Sequence, residues 1–509
     1  MKRFCYQLHR WTGIAGCLLM ALWFISGMVM LFVGYPKLTP WERLAGKPAL
    51  PLLAYADVAQ VLRQSASATE IVLTSNGGAP VYRVRDASGQ VSAFDAATGQ
   101  RQDSADAATA LVAARAFLPG AAAHYQGLVR EDRWTHARSL DPHRPLHRVQ
   151  MDDAQHTLLY LSSRTGEVLI DAPRTQRLWN FAGAWLHWVY PLRDRSHDPV
   201  WSWTVIIASF AATLTALSGT LVGIWRWRFQ GRYKSGSRSP YRETLMRWHH
   251  LVGLAFAAIV CTWIFSGLMS MNPLHIFDAS GSGRGARPDQ DAWRGATLAQ
   301  AHQPMAPQQA LQWLSGAGFE AVELDWRVLE GHPYLLARDA RARTRLVVED
   351  AGGQVRERWD EATLLQAATH LMPGVAMQYQ WLHAWDAYYY SREAEAMMGA
   401  AERRLPVLQL RFADAHANWV YIDPATGEVV LAMDSTQRVG RWLFSFLHSW
   451  DLPPMLQSGP WREAVLVLLS LGGLALSVTG VVIGYRRLRV MTGRRAASKL
   501  KREQRAQPV

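Results

Sequence analysis

Cysteine is nearly missing from this chain: Cys5, Cys17 and Cys261 are the only three in 509 residues. All lie at the edge of, or inside, apolar runs. The polar parts therefore carry no disulfide framework, and no C-x-x-C-H sequence offers covalent haem attachment. Three apolar space-fillers account for them. Hydrolytic and phosphate-binding signatures are missing too: there is no H-E-x-x-H, no G-x-S-x-G and no P-loop. Nothing resembles a nucleotide or flavin fingerprint.

Positive charge is present but concentrated. A formal +13 invites a nucleic-acid reading, yet nineteen basic and two acidic residues crowd into 1–10, 226–247 and 486–509. Those pieces sum to +17 and leave −4 for everything else. Each flanks an uncharged run: Trp11–Gly34, Pro199–Trp225, Trp248–Phe277 and Ala464–Tyr485. A bilayer span takes about 20 helical residues, so all four are long enough. Lys and Arg beside spans hold loops in the cytoplasm, and Trp and Tyr near the ends suit an interfacial belt. A nucleic-acid role is excluded on this distribution. The first run, behind Lys2-Arg3, could pass for a signal peptide, but no A-x-A-like site follows it. It is expected to stay as a helix.

The expected fold class is a membrane α-helical bundle of four transmembrane helices, internally duplicated, with two outer α+β regions. Residues 1–34 hold the cytoplasmic N-terminus and first span, and 35–177 the first outer region. A short interfacial helix at 178–198 contains His187, and 199–225 is the second span. A basic cytoplasmic loop, 226–247, leads to the third span at 248–277. Residues 278–441 form the second outer region, 442–460 another interfacial helix with His448, 461–485 the fourth span and 486–509 a basic tail. Both short apolar pieces would lie on the outer face or dip into the bundle. Within the outer regions, strands are expected near Glu70–Leu73, Val81–Arg85, Gln90–Phe94, His147–Gln150 and Leu158–Ser162. The second region repeats the texture near Ala321–Arg327, Tyr334–Ala337, Arg345–Val348, Gln409–Phe412 and Trp419–Ile422. Gly281–Pro288 is a Gly/Arg/Ser-rich linker. Asp95–Gly99, Ser163–Gly166 and Asp423–Gly427 are turns in which glycine supplies a positive φ.

The duplication is legible residue by residue. His9-Arg10-Trp11-Thr12-Gly13 and Trp23-Phe24-Ile25-Ser26-Gly27 match His249-His250-Leu251-Val252-Gly253 and Trp263-Ile264-Phe265-Ser266-Gly267, 240 residues later. Thr165-Gly166-Glu167, Thr175-Gln176-Arg177 and His187 return 261 residues on as Thr426-Gly427-Glu428, Thr436-Gln437-Arg438 and His448. His9 and His249 open spans at the cytoplasmic side; His187 and His448 sit on the outer side. Ionisable groups at membrane depth are functional by default. Imidazole ligates haem iron and zinc. Zinc would want further Cys or carboxylate ligands, and none repeats beside these histidines. Two pairs suit two bis-histidine haems, one toward each face. The plain alternative is four interfacial histidines. His250 could replace His249, but the shared H-x-x-x-G register favours His249. Gly13 and Gly253, one turn on, would open room for something flat. His275, His370 and His383 have no matching partner. Ser26-Gly27, Ser266-Gly267, Ser218-Gly219 and Thr479-Gly480 are small residues that let helices or a cofactor come close, plain helix packing being the expected use. Tyr388–Tyr390 with Arg392 could line a substrate or anion site on the outer face, but a half-buried strand or interfacial aromatic cluster is the expected reading.

The H-x-x-x-G opening, the W-x-x-S-G helix, the D-x-x-T-G hairpins, the L-H-[WS] element and the Arg-rich exits together resemble the PepSY-associated transmembrane proteins. That family includes inner-membrane ferric-siderophore reductases. The resemblance implies PepSY-like periplasmic regions and a bacterial inner-membrane location with both termini cytoplasmic. It also implies haem b, ligated by His9 and His249 near the cytoplasm and by His187 and His448 near the periplasm. The implied activity is haem-dependent reduction of a ferric siderophore or similar iron chelate, with electrons from a donor protein or a quinol. A non-redox PepSY binding scaffold associated with iron uptake and a chelate permease are the alternatives. No Pro-broken helix pair marks a transport site at the midplane.

Overall fold

The polar and apolar stretches that alternate along the chain sort into two units in the computed structural model. It describes all residues except 194–197, 279–286, 301–303, 350–352, 398, 400 and 506–509. Most of the expected linker at Gly281–Pro288 lies outside the described residues. One unit gathers Met1–Val33, Phe181–Asp278 and Val439–Val509; the other gathers Gly34–Asn180 and Ala279–Arg438.

The polar unit repeats one device four times: a short helix, then antiparallel strands. Helix Val58–Gln64 precedes β1 (Ala68–Asn76), β2 (Ala79–Asp86) and β3 (Val91–Asp95). Helix Ala107–Phe117 precedes β4 (Ala123–Val129), β5 (Leu146–Met151), β6 (Leu158–Ser162) and β7 (Val168–Ala172). In the second segment, Pro307–Gly316 precedes β8 (Glu323–Leu329), β9 (His332–Arg338), β10 (Thr344–Val348) and β11 (Gln354–Arg356). Last, Glu361–Ala368 precedes β12 (Met377–Leu382), β13 (Val407–Phe412), β14 (Trp419–Asp423) and β15 (Glu428–Met433). The strands β4–β7 and β12–β15 form two four-stranded meanders. The other two sets do not stay apart. Strand β1 pairs antiparallel with β8, Ile71 opposite Trp326, and makes one seven-stranded sheet of order β11-β10-β9-β8-β1-β2-β3. Ile71, Leu73, Leu324 and Trp326 are all buried. A one-residue slip would move them onto the opposite face, where Thr74, Glu323 and Asp325 are buried, so the match of apolar with apolar residues sets that register.

The three expected turns carry Gly99, Gly166 and Gly427 at φ +68°, +72° and +71°. Behind two of them stands a duplicated clamp. Arg83 on β2 reaches Glu167 at 3.0 Å and Glu70 at 2.9 Å; Arg327 on β8 pairs with Glu428 and, at 2.6 Å, with Asp325. Each T-G-E turn is thus held by an arginine of the seven-stranded sheet. Burial would raise the Glu167 carboxyl, but Arg83 beside it brings it down to about 2.

The apolar unit contains α1 (Lys2–Met30), α2 (Pro199–Arg226), α3 (Thr244–Ala255), α4 (Ala257–Ser270) and α5 (Trp461–Arg505). Helix α1 packs against both α2 and α5, and α2 against α4. Met20, Phe24, Ala212, Ala216, Val260, Trp263, Ile264 and Leu466 fill the centre. Large apolar side chains also face outward, among them Leu18, Ile207, Phe210, Leu217 and Leu468. Helices apolar all round belong inside a membrane.

Among the described residues, three helices are long and apolar enough to cross, not the four transmembrane helices expected. The run Trp248–Phe277 instead falls on α3 and α4, bent by 71°. The break is at Phe256 (φ −106°, ψ 9°). Its ring lies where a Cβ on Gly472 of α5 would be 2.2 Å away. The position 240 residues earlier is Gly16, inside the uninterrupted α1. A bulky ring driven against a neighbouring helix thus marks the difference between the copies.

Replacing Arg83 by Met should destabilise the polar unit by about 3–5 kcal/mol, because it strands a mostly buried carboxylate. Thermal unfolding of the full chain in detergent at pH 7 measures this. The Glu167 pKa is depressed, so its contribution is complete above the ordinary glutamate value of 4.5 and fades as pH falls toward 2. The gap between wild type and Arg83→Met should narrow over that window.

Candidate functional site

The four histidines come together in two pairs. The rings of His9 (α1) and His249 (α3) have centroids 6.2 Å apart and planes at 37°. Those of His187 and His448 are also 6.2 Å apart, at 69°. Each pair thus takes one member from each copy. Ser26, which touches His187, lies seventeen positions beyond His9 on α1, about 26 Å at 1.5 Å per residue. The pairs therefore occupy separate layers of the bundle. Phe24 of α1 and Trp263 of α4, with ring centroids 6.2 Å apart, stand in the core of the bundle.

Local structure repeats with the chemistry. His187 follows a π-helical turn at Phe181–Trp185, and His448 follows one at Trp442–Phe446. The offset is again 261 residues. Such turns concentrate at functional sites because the extra residue re-aims the side chains beyond it. Past each histidine the chain enters the left-handed region, at Val189 (φ 55°) and Trp450 (φ 49°). These segments pack on helices of the bundle, the first on α1 and the second on α4. Trp23 Nε1 also donates to the His187 carbonyl at 2.9 Å.

Small and hydroxyl residues of neighbouring helices seat the imidazoles. Ser26 Oγ lies 3.0 Å from His187 Nδ1, and Ser266 Oγ 3.0 Å from His448 Nδ1. Thr479 Oγ1 is 2.9 Å from His249 Nδ1, and the Thr215 carbonyl 3.1 Å from His9 Nδ1. A Cβ on Gly219 would stand 2.5 Å from His9 Cε1; on Gly480, 3.6 Å from His249 Cε1; on Gly27, 3.5 Å from His187 Cε1. The S-G and T-G steps are therefore where the histidines rest. Their signal was visible in the sequence as the same small pair at both offsets. Gly13 and Gly253 do something else. Built Cβ atoms there would meet Thr215 Cγ2 at 3.7 Å and Leu476 Cδ1 at 3.3 Å, so they ease helix packing.

The remaining histidines separate cleanly. His250 is buried, with Nδ1 2.8 Å from Ser239 Oγ and Nε2 2.9 Å from the Gly223 carbonyl, so both its nitrogens are engaged. The four paired histidines, by contrast, are intermediate in exposure as residues. His275 is exposed beside Asp278, and His370 lies 3.3 Å from Glu330; His383 is exposed. In the other unit, Tyr388 meets Trp419 edge-on at 5.2 Å and Tyr389 stacks on Tyr421 at 5.2 Å. That segment is an aromatic layer on the β12–β15 sheet. Among the described residues, no group of three or more His, Cys, Asp or Glu is placed to hold a bare metal ion.

Fold and site together define a multi-pass helical membrane protein with α+β regions outside the bundle and two layered imidazole pairs within it. The chain belongs to the PepSY-associated transmembrane family: the family described as the PepSY-associated TM region matches residues 6–384. That match takes in His9, His187 and His249 and stops before His448 and α5. No curated protein matches the chain.

Gly219→Ala should destabilise the apolar unit by about 1–3 kcal/mol, since the added methyl collides with the His9 ring. Gly267→Ala, whose methyl would meet His448 Cε1 at an ordinary 3.8 Å, should be tolerated. Thermal unfolding of the two variants in detergent compares them directly.

Proposed function

We propose that the protein is a b-type dihaem electron carrier of the bacterial inner membrane that reduces a periplasmic ferric siderophore or similar iron chelate. The observation that carries this reading is the 6.2 Å spacing of both histidine pairs. Two imidazoles bound to one metal at about 2.0–2.1 Å each place their ring centroids about 6.3 Å apart. Two donors alone do not complete a zinc site, which takes four ligands. They do complete a metal whose other four positions come from a macrocycle. The glycine seats behind the rings fit such a flat group better than a closed structural site.

In this reading, His9 and His249 hold the haem nearer the cytoplasm, and His187 and His448 the one nearer the periplasm. Both termini and the 226–247 loop are cytoplasmic, as their basic residues favour. The chain then crosses four times, with α3 and α4 forming one broken crossing. Bound haem supplies a one-electron carrier in each layer. The protein fixes the ligands on separate helices and fills the space between layers with Met20, Phe24 and Trp263, which exclude water. The π-helical turns and the Trp23 hydrogen bond hold the outer imidazoles at set depth. One electron delivered to the chelate converts Fe(III) to Fe(II), which hard oxygen donors bind more weakly, and the metal is released. Electrons enter from a donor protein or a quinol.

Protein purified from haem-replete cells should show reduced-minus-oxidised b-haem bands. His187→Ala or His448→Ala should remove about half of the signal, and His9→Ala or His249→Ala the other half. A colourless wild-type preparation would overturn the proposal and leave a membrane-anchored α+β binding scaffold in its place.

A further inference from the structure

Each paired imidazole presents Nδ1 to a polar atom of another segment, and the protons around that atom can be counted. A hydroxyl has one proton and two lone pairs. Ser26 Oγ lies 2.7 Å from the Leu22 carbonyl on its own helix, and Ser266 Oγ 3.0 Å from that of Trp263. Thr479 Oγ1 lies 2.8 Å from the Leu476 carbonyl and 3.0 Å from that of Ala475. Carbonyls only accept, so each hydroxyl donates backward into its helix. What it turns toward the imidazole is a lone pair. Nδ1 of His187, His448 and His249 must then carry the proton and donate. His9 reaches the same state by a different route, because its acceptor is the Thr215 main-chain oxygen. In a neutral ring, a protonated Nδ1 leaves the lone pair on Nε2.

We propose that Ser26, Ser266 and Thr479 are positioning residues that hold His187, His448 and His249 in the Nδ1–H tautomer and so direct the Nε2 lone pair to a metal. The metal's identity rests on the proposed function; the tautomer does not. Ser26 and Ser266 stand at the same 240-residue offset as the histidine-bearing helix starts, and each serves the histidine contributed by its own copy. Thr479 has Ser218 as its counterpart at the 261-residue offset. Ser218 Oγ lies 2.6 Å from the Leu214 carbonyl and 3.3 Å from the Thr215 carbonyl, and it is that Thr215 carbonyl which meets His9 Nδ1 at 3.1 Å. The two copies thus meet one chemical demand with a side chain in three cases and with main chain in the fourth. Outer partners of this kind orient a ligating histidine and raise its basicity.

The test uses full-length protein with 15N-labelled histidine in lipid nanodiscs, reduced so that any bound haem is diamagnetic. Side-chain nitrogen shifts should report a protonated Nδ1 at all four positions, assigned by single histidine replacements. Ser26→Ala, Ser266→Ala and Thr479→Ala should each lose that signature at one histidine. Ser26→Thr, Ser266→Thr and Thr479→Ser should restore it. Ser218→Ala should leave His9 unchanged, since its acceptor is backbone. In haem-bearing protein, the alanine variants should also pass haem to apomyoglobin about tenfold faster, with one midpoint potential displaced upward. A protonated Nε2 in the wild type, or alanine variants indistinguishable from it in the nitrogen spectrum, would overturn the proposal. A colourless preparation with the expected nitrogen shifts would instead overturn only the haem assignment.

Discussion

Every feature of the apolar unit depends on one arrangement: an imidazole carried by one segment is held by a polar atom of another. A buried polar group without a partner costs about 1–3 kcal/mol, so a ring nitrogen inside a helix bundle must be satisfied from a neighbour. Here the neighbours are hydroxyls and a carbonyl on α1, α2, α4 and α5. The requirement brings the helices close, which is why glycine follows each hydroxyl step. It also ties the two copies together, since each pair of rings takes one histidine from either half. The histidine contacts are therefore also contacts that join the helices of the bundle.

Duplication with local divergence accounts for much of the rest. The π-helical turns before His187 and His448, and the left-handed residues after them, are retained at one offset. In the polar unit Glu167 and Glu428 keep that offset, while the arginines that hold them, Arg83 and Arg327, come from different strands, β2 and β8. Phe256 is where the copies part. Its ring rests against Gly472, and the helix that stays straight through Gly16 is bent there. A site can survive such a bend because His249 lies on one side of it and Ser266 on the other, each held by its own partner.

Much of the polar unit was legible in the chain. Strands with a buried apolar face, such as Val81–Arg85 and Leu158–Ser162, stood out by alternation. The strands that escaped, β4, β7, β11, β12 and β15, all lie at sheet edges. β4 and β12 show why: His124, Tyr125, Gln126 and Gln378, Tyr379, Gln380 are exposed in succession. Without a face to bury, a strand has no period to reveal. The broken third span escaped for a similar reason, since hydropathy counts apolar residues and is blind to where a ring is pushed.

The sequence by itself determined the repeats, the apolar runs, the turn glycines and the four repeated histidines, because each is a matter of residue type at a set spacing. Tertiary structure alone decided which histidine meets which, that Ser26, Ser266 and Thr479 stand at their Nδ1 atoms, and that β1 and β8 fuse two segments into one sheet. These are contacts between residues far apart in the chain. Spacing along one helix or strand says what each can offer, but only packing brings the second partner within 3 Å.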